Sequence, residues 1–281
     1  CTMDIICQDK EIWKDEFKNM PTYARASFKT YGNEVVMLKV ALSPTSMEGA
    51  YANMAAEMPG WDFDKVAEDA DRKWNEELSR ILIRTSDEDT NKIFYTALYH
   101  TMIAPSTFCD ADGSISYTTF SLWDTYRAAM PLYSIFQTER YSDMIQTMLA
   151  ICDEQGKLPV WHLHGCETNC MVGNPGIIPV ADAIVKEIGG FDKDKAFEAM
   201  KASAMRPDRG QDLRMEYGYI PCDLFKESVA YDLEYAIADG ALALAAEKLA
   251  DESGIVKYRE AAEFFSSRSL SYRHLFDPSL R

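Results

Sequence analysis

The segment Ser121-Leu-Trp-Asp-Thr-Tyr-Arg127 combines two aromatic rings, a carboxylate and a guanidinium across two helical turns. Aromatic faces stack on the C–H side of a sugar ring, while Asp and Arg side chains hydrogen-bond its hydroxyl groups. Trp123, Asp124 and Arg127 therefore form a candidate sugar-binding group. The same residues fit a helix N-terminus with an Asp–Arg pair three residues apart, so both interpretations stay open at this point.

A second segment with chemical potential is His162-Leu-His-Gly-Cys-Glu-Thr-Asn-Cys170. Zinc takes imidazole and thiolate ligands, but structural zinc sites usually draw them from two separated pairs, and no second pair follows. A loop whose cysteines are small packing groups is therefore the favoured interpretation. Glu167 is predicted to be a polar residue at the mouth of a helical domain. Trp161, just before this segment, is either a sugar platform or, as the residues favour, a core aromatic.

The helical pattern that begins at Ser228 carries Glu227, Glu234 and Asp239. These acids are either metal ligands or a solvated acidic face, and their spacing of seven and five residues favours the solvated face. The pattern predicts an inward apolar face made of Val229, Leu233, Ala236, Ile237 and Gly240.

Composition narrows the class of protein. The 281 residues include 45 acidic and 29 basic ones, and 47% are hydrophobic, so the chain is acidic and folded rather than disordered. A net charge of −16 argues against binding to nucleic acid, since phosphate contacts need clustered Lys and Arg. No apolar run is long enough to span a membrane. Seven cysteines are too sparse for a disulfide scaffold.

The elements that would position these residues are mostly helices. A β-type run covers 34–42, and a weaker alternation covers 24–28, so the chain is predicted to begin inside a β domain. From Met47 onward the periodicity is helical, with connections rich in Gly, Pro and Asp, which indicates an all-α domain of paired helices. The predicted helices are 47–58, 62–81, one capped at 86–89 and ending near 105, 121–130, 141–155, 178–188, 193–205, 228–249 and 256–275.

Several motifs in one order carry a family resemblance. They are Val40-Ala-Leu-Ser-Pro-Thr-Ser-Met-Glu-Gly-Ala50, Pro59-Gly-Trp-Asp-Phe63, Trp74-Asn75, Phe94-Tyr-Thr-Ala-Leu-Tyr-His100, Asp110-Ala-Asp-Gly113, Ser121–Arg127, Gly165-Cys-Glu-Thr-Asn-Cys-Met171, Gly218-Tyr-Ile-Pro221, Ser228-Val229 and Leu233-Glu-Tyr-Ala236. The chain thereby resembles glycoside hydrolase family 92, the calcium-dependent exo-acting α-mannosidases. The likeness covers nearly the whole chain.

The resemblance implies a fold that is mainly α, namely part of an (α/α)6 toroid preceded by the last strands of an N-terminal β-sandwich. Residues 1–45 would be the end of that sandwich, 46–84 the linker helices and 85–281 the first half of the toroid. Cys1 would then be an interior residue of a longer protein. Family members are similar in carrying a longer loop where this chain has only the residues between Gly113 and Tyr117.

The resemblance also implies removal of terminal α-linked mannose with inversion and calcium assistance, with the α-1,2 linkage favoured. One carboxylic acid would protonate the leaving oxygen while a carboxylate on the other side activates water. The family's segments for both follow the equivalent of Leu275-Phe-Asp-Pro278, so we expect no catalytic residue in this chain and the acid and base beyond Arg281. The chain alone should be inactive, and most calcium ligands should lie outside it.

What carries over to this sequence is the mannose pocket. Trp123, Asp124 and Arg127 match the part that grips the terminal sugar, and Trp161 and Glu167 match pocket positions. The expected partners are a mannose-containing glycan and either the missing half of the domain or a second copy, because a half-toroid exposes an apolar face. The resemblance implies a bacterial periplasmic, cell-surface or secreted location. The alternatives are another (α/α)6 sugar hydrolase or a non-catalytic helical carbohydrate-binding or scaffold module.

Overall fold

The computed structural model of the chain describes residues 2–6, 23–27, 29–113 and 115–280. The chain divides into two compact units, Cys1–Val40 and Ala41–Arg281. The described part is mostly helical, as the sequence predicts. None of the helices in these ranges is long and apolar enough to cross a membrane.

The first unit contains an antiparallel pair of strands, β1 (Thr2–Ile6) and β2 (Tyr23–Ser27), with Thr2 opposite Ser27 and Ile6 opposite Tyr23. The predicted strand at 24–28 is confirmed as far as Ser27, and Phe28 lies outside the described residues. Its assignment to a β-sandwich stays a prediction.

The predicted strand over 34–42 is wrong. These residues have no regular secondary structure, and Val35 and Leu38 are largely exposed. A β-type run becomes a strand only when a neighbour pairs with its backbone N–H and C=O groups. Within the described residues no strand pairs with this run.

The second unit is built from helices joined by short connections. They are α1 (Met47–Glu57), α2 (Phe63–Leu78), α3 (Glu88–Thr101), α4 (Leu122–Thr125), α5 (Ala129–Phe136), α6 (Thr138–Gln155), α7 (Ile177–Val185), α8 (Lys193–Met205), α9 (Gln211–Tyr217), α10 (Ser228–Ser253) and α11 (Val256–Arg268), followed by a 3-10 helix (Ser269–Leu275). Short strands lie between them: β3 (Ser106–Thr107), β4 (Tyr117–Thr118), β5 (Phe120–Ser121), β6 (Trp161–Leu163) and β7 (Cys166–Glu167).

Most predicted helices are confirmed, and α8 has the predicted bounds. The single helix predicted over 121–130 is wrong. Helix α4 ends at Thr125, and a new helix, α5, begins at Ala129. Pro131 falls in the first turn of α5, where its missing N–H costs no helical hydrogen bond, so a new helix begins there. The short helix α9 and the strands β3 to β7 were not predicted.

The core lies among α5, α6, α7, α8, α10 and α11. It is one continuous cluster of buried aromatic, aliphatic and methionine side chains that includes Met130, Tyr141, Ile145, Ile177, Phe197, Leu242 and Phe265. Alanines on α10 and α11, such as Ala245 and Ala262, allow these two helices to approach closely. This core supports the segments on which the candidate site is built.

A polar cluster attaches the segment before α1 to the loop after β3. The Asp110 carboxylate accepts hydrogen bonds from Ser43 Oγ at 2.9 Å, from Asn53 Nδ2 at 2.8 Å and from the Thr45 hydroxyl. The hydroxyls of Thr45 and Ser43 and the amide of Asn53 lower the pKa of Asp110 below its usual range. Gly49 packs so closely that an added Cβ would lie 2.7 Å from Asp110 Oδ2. Two of the sequence motifs, around Ser43 and around Asp110, are thus one structural unit.

Helix α10 buries only part of the predicted face: Ala236 is buried and Gly240 is half-buried. Val229, Leu233 and Ile237 are each more than 40% exposed, while Asp232, Tyr235 and Asp239 are buried. The helix is apolar on nearly every side, so periodicity could not show which side faces the core. Together with Leu244, the three exposed residues form an apolar stripe along α10, which we call the α10 stripe.

The buried side of α10 carries a network of charges. Arg214 on α9 is fully buried and donates from Nε to Asp232 Oδ1 at 2.8 Å and from Nη1 to Asp239 Oδ2 at 2.7 Å. Arg268 at the end of α11 donates from Nε and Nη2 to both oxygens of Asp239 at 2.7 Å. Asp232 also accepts hydrogen bonds from the Ser271 hydroxyl and from the backbone N–H of Ile220. Because every charge has a partner of opposite sign, the network locks α9, α10 and α11 in one arrangement.

Replacing Arg214 with Met tests this network. The substitution keeps the volume but leaves Asp232 without its counter-ion, so we expect a loss of about 3–5 kcal/mol in the free energy of unfolding. The control is Arg259→Met, since Arg259 pairs with Asp251 on the surface, where loss of a pair costs about 0–1 kcal/mol. Chemical denaturation of both variants measures the difference. Equal losses would show that the buried network does not stabilise the fold.

The α10 stripe predicts association. An exposed continuous apolar patch tends to be covered by another protein surface, so we expect the chain to self-associate or to bind the rest of its own domain. Replacing Ile237 and Leu244 with Lys should shift the chain toward the monomer in sedimentation experiments. The control is Gln146→Lys with Ala202→Lys, exposed positions on α6 and α8, which adds the same charge on other helices. An unchanged distribution in the stripe variant would contradict the prediction.

Candidate functional site

The candidate sugar-binding residues lie on or next to a small three-stranded sheet. Strands β5, β6 and β7 are antiparallel, and Ser121 lies opposite Trp161 in the register. The backbone N–H of Leu122 donates to Val160 O at 3.3 Å, which holds the start of α4 against β6. Trp123, Asp124 and Arg127 follow β5 directly, so the sheet brings them into the same region as Trp161 and Glu167.

Glu167 organises the β6–β7 hairpin. Its Oε2 accepts from the backbone N–H of Val160 at 2.7 Å, and its Oε1 accepts from the N–H groups of Trp161 at 3.0 Å and Asn169 at 2.8 Å. Asn169 has a left-handed backbone with φ of 51°. The Glu167 carboxylate therefore positions the backbone around Trp161. This role does not require Glu167 itself to touch a ligand.

Asn169 is also held through its side chain. Arg209 Nη1 donates to Asn169 Oδ1 at 2.8 Å, and the buried Lys157 ammonium donates to the same oxygen. Burial is the main cause that lowers the pKa of Lys157. These contacts keep the loop after β7 in one conformation, even though Thr168 and Cys170 on it are exposed.

An aromatic and ionic cluster forms around Arg127. The guanidinium carbon of Arg127 lies 4.6 Å from the centre of the Tyr126 ring and 5.3 Å from that of Trp123. Its Nη2 donates to Glu234 Oε1 at 2.6 Å, and Tyr126 OH donates to Glu234 Oε2 at 2.9 Å. Glu234, on α10, thus binds two successive residues of the segment that the sequence marked as sugar-binding.

The cluster shifts the protonation of its members. Burial and then the hydrogen bond to Glu234 raise the pKa of Tyr126 to about 12. The hydrogen bond to Glu234 is the main cause that raises the pKa of Arg127. Tyr126 is therefore a neutral donor and Arg127 a permanent cation over the whole range in which proteins are stable.

Asp124 and Arg127 face solvent while the aromatic rings beside them are more buried. Asp124 accepts a hydrogen bond from the Ser121 hydroxyl, which orients the carboxylate toward the end of β5. Exposed carboxylate and guanidinium groups beside the Trp123 ring are of the chemical types that match the hydroxyl and C–H surfaces of a pyranose. These residues therefore form the candidate sugar-binding group of the structure.

The residues proposed as metal ligands do not converge. His162 is buried, with its pKa lowered mainly by burial, whereas His164 stacks on Phe108 at 5.9 Å. Glu167 is engaged by backbone amides, and Cys166 and Cys170 are exposed thiols. In the described ranges no group of three or more His, Cys, Asp and Glu side chains could hold a metal ion. These residues therefore do not fit a zinc site or a calcium site.

Sequence reasoning missed the role of Glu234. The solvated acidic face that the spacing favoured is wrong for Glu234 and for Asp239, because Glu234 binds Tyr126 and Arg127 and Asp239 binds two arginines. The available signal was that these acids lie on a helix that is otherwise apolar. An acid on such a helix needs a partner, since burying an unpaired charge is costly.

The catalytic domain of glycosyl hydrolase family 92 matches residues 49–281. The chain is also similar to an uncharacterized secreted glycosidase of Arthroderma benhamiae, with 26% identity over 276 residues that make up 91% of this chain and 32% of that protein.

Two solved structures from Bacteroides thetaiotaomicron are similar in fold. A family GH92 α-mannosidase has 38% identity and a TM-score of 0.78, covering 84% of this chain and 33% of that one. A family GH92 inverting mannosidase has 27% identity and a TM-score of 0.78, covering 85% of this chain and 34% of that one. The chain thus spans about a third of the length of the proteins it matches.

The pKa of Tyr126 predicts a dependence of stability on alkaline pH. An unfolded tyrosine ionises near pH 10, while folded Tyr126 keeps its proton up to about pH 12, so its contribution is complete below about pH 10 and is lost as the pH rises toward 12. Thermal unfolding of the wild type and of Tyr126→Phe isolates this residue from other buried tyrosines. The difference between their melting temperatures should be constant below pH 10 and should fall above it. A constant difference at all pH values would contradict the shift.

Proposed function

The chain belongs to glycosyl hydrolase family 92, and we propose that it is the part of an exo-acting α-mannosidase that grips the terminal mannose. The observation that carries the proposal is the cluster of Trp123, Asp124 and Arg127 that follows β5, whose Ser121 pairs with Trp161, with Asp124 and Arg127 open to solvent. The similarity to two mannosidase structures supports the substrate class. The family match disfavours the alternative of another (α/α)6 hydrolase family.

In this proposal the residues of the chain bind and orient the sugar. The rings of Trp123 and Trp161 cover its apolar faces, while Asp124 accepts and Arg127 donates hydrogen bonds to its hydroxyls. Fixing the sugar in one orientation lowers the barrier to hydrolysis, because the binding energy has already offset the loss of translational and rotational entropy. Inversion would need an acid and a base roughly 6.5–9.5 Å apart, and we propose that both lie beyond Arg281.

Calcium assistance, an α-1,2 preference and action on N-glycans are further parts of the proposal, with most of the calcium ligands outside this chain. A calcium ion bound by oxygen ligands would supply electrostatic stabilisation and orientation at the reacting sugar. Export from the cell is supported by the secreted relative. The (α/α)6 toroid, of which 85–281 would be half, is consistent with the solved structures.

Mannose release tests the proposal. A longer protein that contains this chain and the remaining length of its relatives should release mannose from α-mannobiose, most rapidly from the α-1,2 linkage, and a chelator should abolish the release. The 281-residue chain alone should release none but should bind methyl α-mannoside, which separates it from a scaffold without sugar affinity. Absence of release from every linkage by the longer protein would overturn the mannosidase proposal.

A substitution in the longer protein tests the site. Asp124→Ala should lower kcat/KM by about a hundredfold, because the sugar would lose the contact that positions it. Asp251→Ala serves as the control, since Asp251 is an exposed residue near the end of α10 whose described partner is a surface arginine. Equal activity of the Asp124 variant and the wild type would remove Asp124 from the pocket.

A further inference from the structure

Glu234 is largely enclosed, although Leu233 beside it in the sequence is exposed. The Glu234 side chain is only 12% exposed, compared with 46% for its partner Arg127. Both oxygens are in use, one by Arg127 Nη2 at 2.6 Å and the other by Tyr126 OH at 2.9 Å. A carboxylate with this little solvent interacts strongly with its counter-ion, because the local dielectric is low.

Gly173 provides the enclosure. Its φ is 78°, and an added Cβ would lie 2.5 Å from the Cβ of Glu234. Only glycine therefore allows the backbone after β7 to pass this close to α10. The same loop carries Asn169, which Arg209 and Lys157 hold in place. The loop, α10 and the segment after β5 thus meet at Glu234.

The hydrogen bond from Arg127 to Glu234 restricts the conformation of the Arg127 side chain. A half-exposed arginine would ordinarily sample many rotamers, with a large loss of entropy when a ligand fixes it. Here Glu234 binds one edge of the guanidinium, and the rings of Tyr126 and Trp123 lie against its faces. Glu234 uses Nη2 of Arg127, and the side chain is 46% exposed, so the rest of the guanidinium is open to a ligand.

We propose that Glu234 is a positioning residue, which orients Arg127 and the Trp123 ring beneath it for binding of the terminal mannose without touching the sugar. The inference rests on the proposed function. It adds a residue from α10, more than a hundred positions along the chain, to the determinants of affinity for mannose. Arg127 in this arrangement is oriented before the sugar arrives.

Glu234→Gln tests the inference, because it keeps the shape and removes the charge. The dissociation constant of the 281-residue chain for methyl α-mannoside should rise about tenfold, as expected when a charge-assisted contact that orients a binding group is lost. Glu234→Asp, which keeps the charge, should recover part of the affinity. The control is Glu247→Gln, an exposed glutamate on the same helix, which should bind like the wild type.

Two further readouts separate positioning from stability. A double variant of Glu234→Gln and Arg127→Gln should bind no more weakly than Arg127→Gln alone, since both substitutions remove one coupled unit. The phenolate absorbance of Tyr126, obtained by difference from Tyr126→Phe, should titrate about one unit lower in Glu234→Gln. If Glu234→Gln lowers the melting temperature but leaves the dissociation constant unchanged, Glu234 has a structural role and the inference is overturned.

Failure of the inference and failure of the proposed function give different results. A wild-type chain that binds methyl α-mannoside with the same affinity as its Glu234→Gln variant rejects the positioning role alone. A wild-type chain that binds no mannoside, while Tyr126 still titrates lower in Glu234→Gln, rejects the proposed function and with it the role of Glu234 in sugar binding. Its contact with Tyr126 would then be purely structural.

Discussion

The buried pairing of Arg214 with Asp232 and Asp239 is the interaction on which the rest of the helical unit depends. A charge inside a protein is tolerated only when it is paired, so these residues admit one relative arrangement of α9, α10 and α11. Arg268 extends the network to the end of α11. Because α10 is apolar on most sides, these charges select which side turns inward, and the α10 stripe becomes the outer side.

This choice has a direct consequence for the site. Asp232 and Glu234 are two residues apart on α10, so they point to different sides of the helix. When Asp232 faces Arg214, Glu234 faces the segment after β5 and binds Tyr126 and Arg127. The charge network around Arg214 and the candidate sugar-binding cluster around Arg127 are therefore linked through one helix, α10. A shift of α10 by one residue would disrupt both.

Hydrogen bonds from the backbone build the other half of the site. Glu167 accepts from three N–H groups and so closes the β6–β7 hairpin around Trp161. The register of β5 against β6 then sets Ser121 opposite Trp161, from which Trp123 and Asp124 follow. Trp161 comes from a different part of the chain than Trp123, Asp124 and Arg127, and the pairing of β5 with β6 brings the two segments together.

The sequence by itself determined the mostly helical class, the bounds of α8, the family and the segment that carries Trp123, Asp124 and Arg127. These follow from local periodicity, caps and contiguous motifs, which depend on residues near one another in the chain. Only the tertiary structure decided that 34–42 forms no strand, that α10 buries Asp232 and Asp239, and that Glu234 binds Arg127. Each of these depends on a partner far along the chain, since an unpaired strand, an apolar helix and a buried acid are all ambiguous until their neighbours are known.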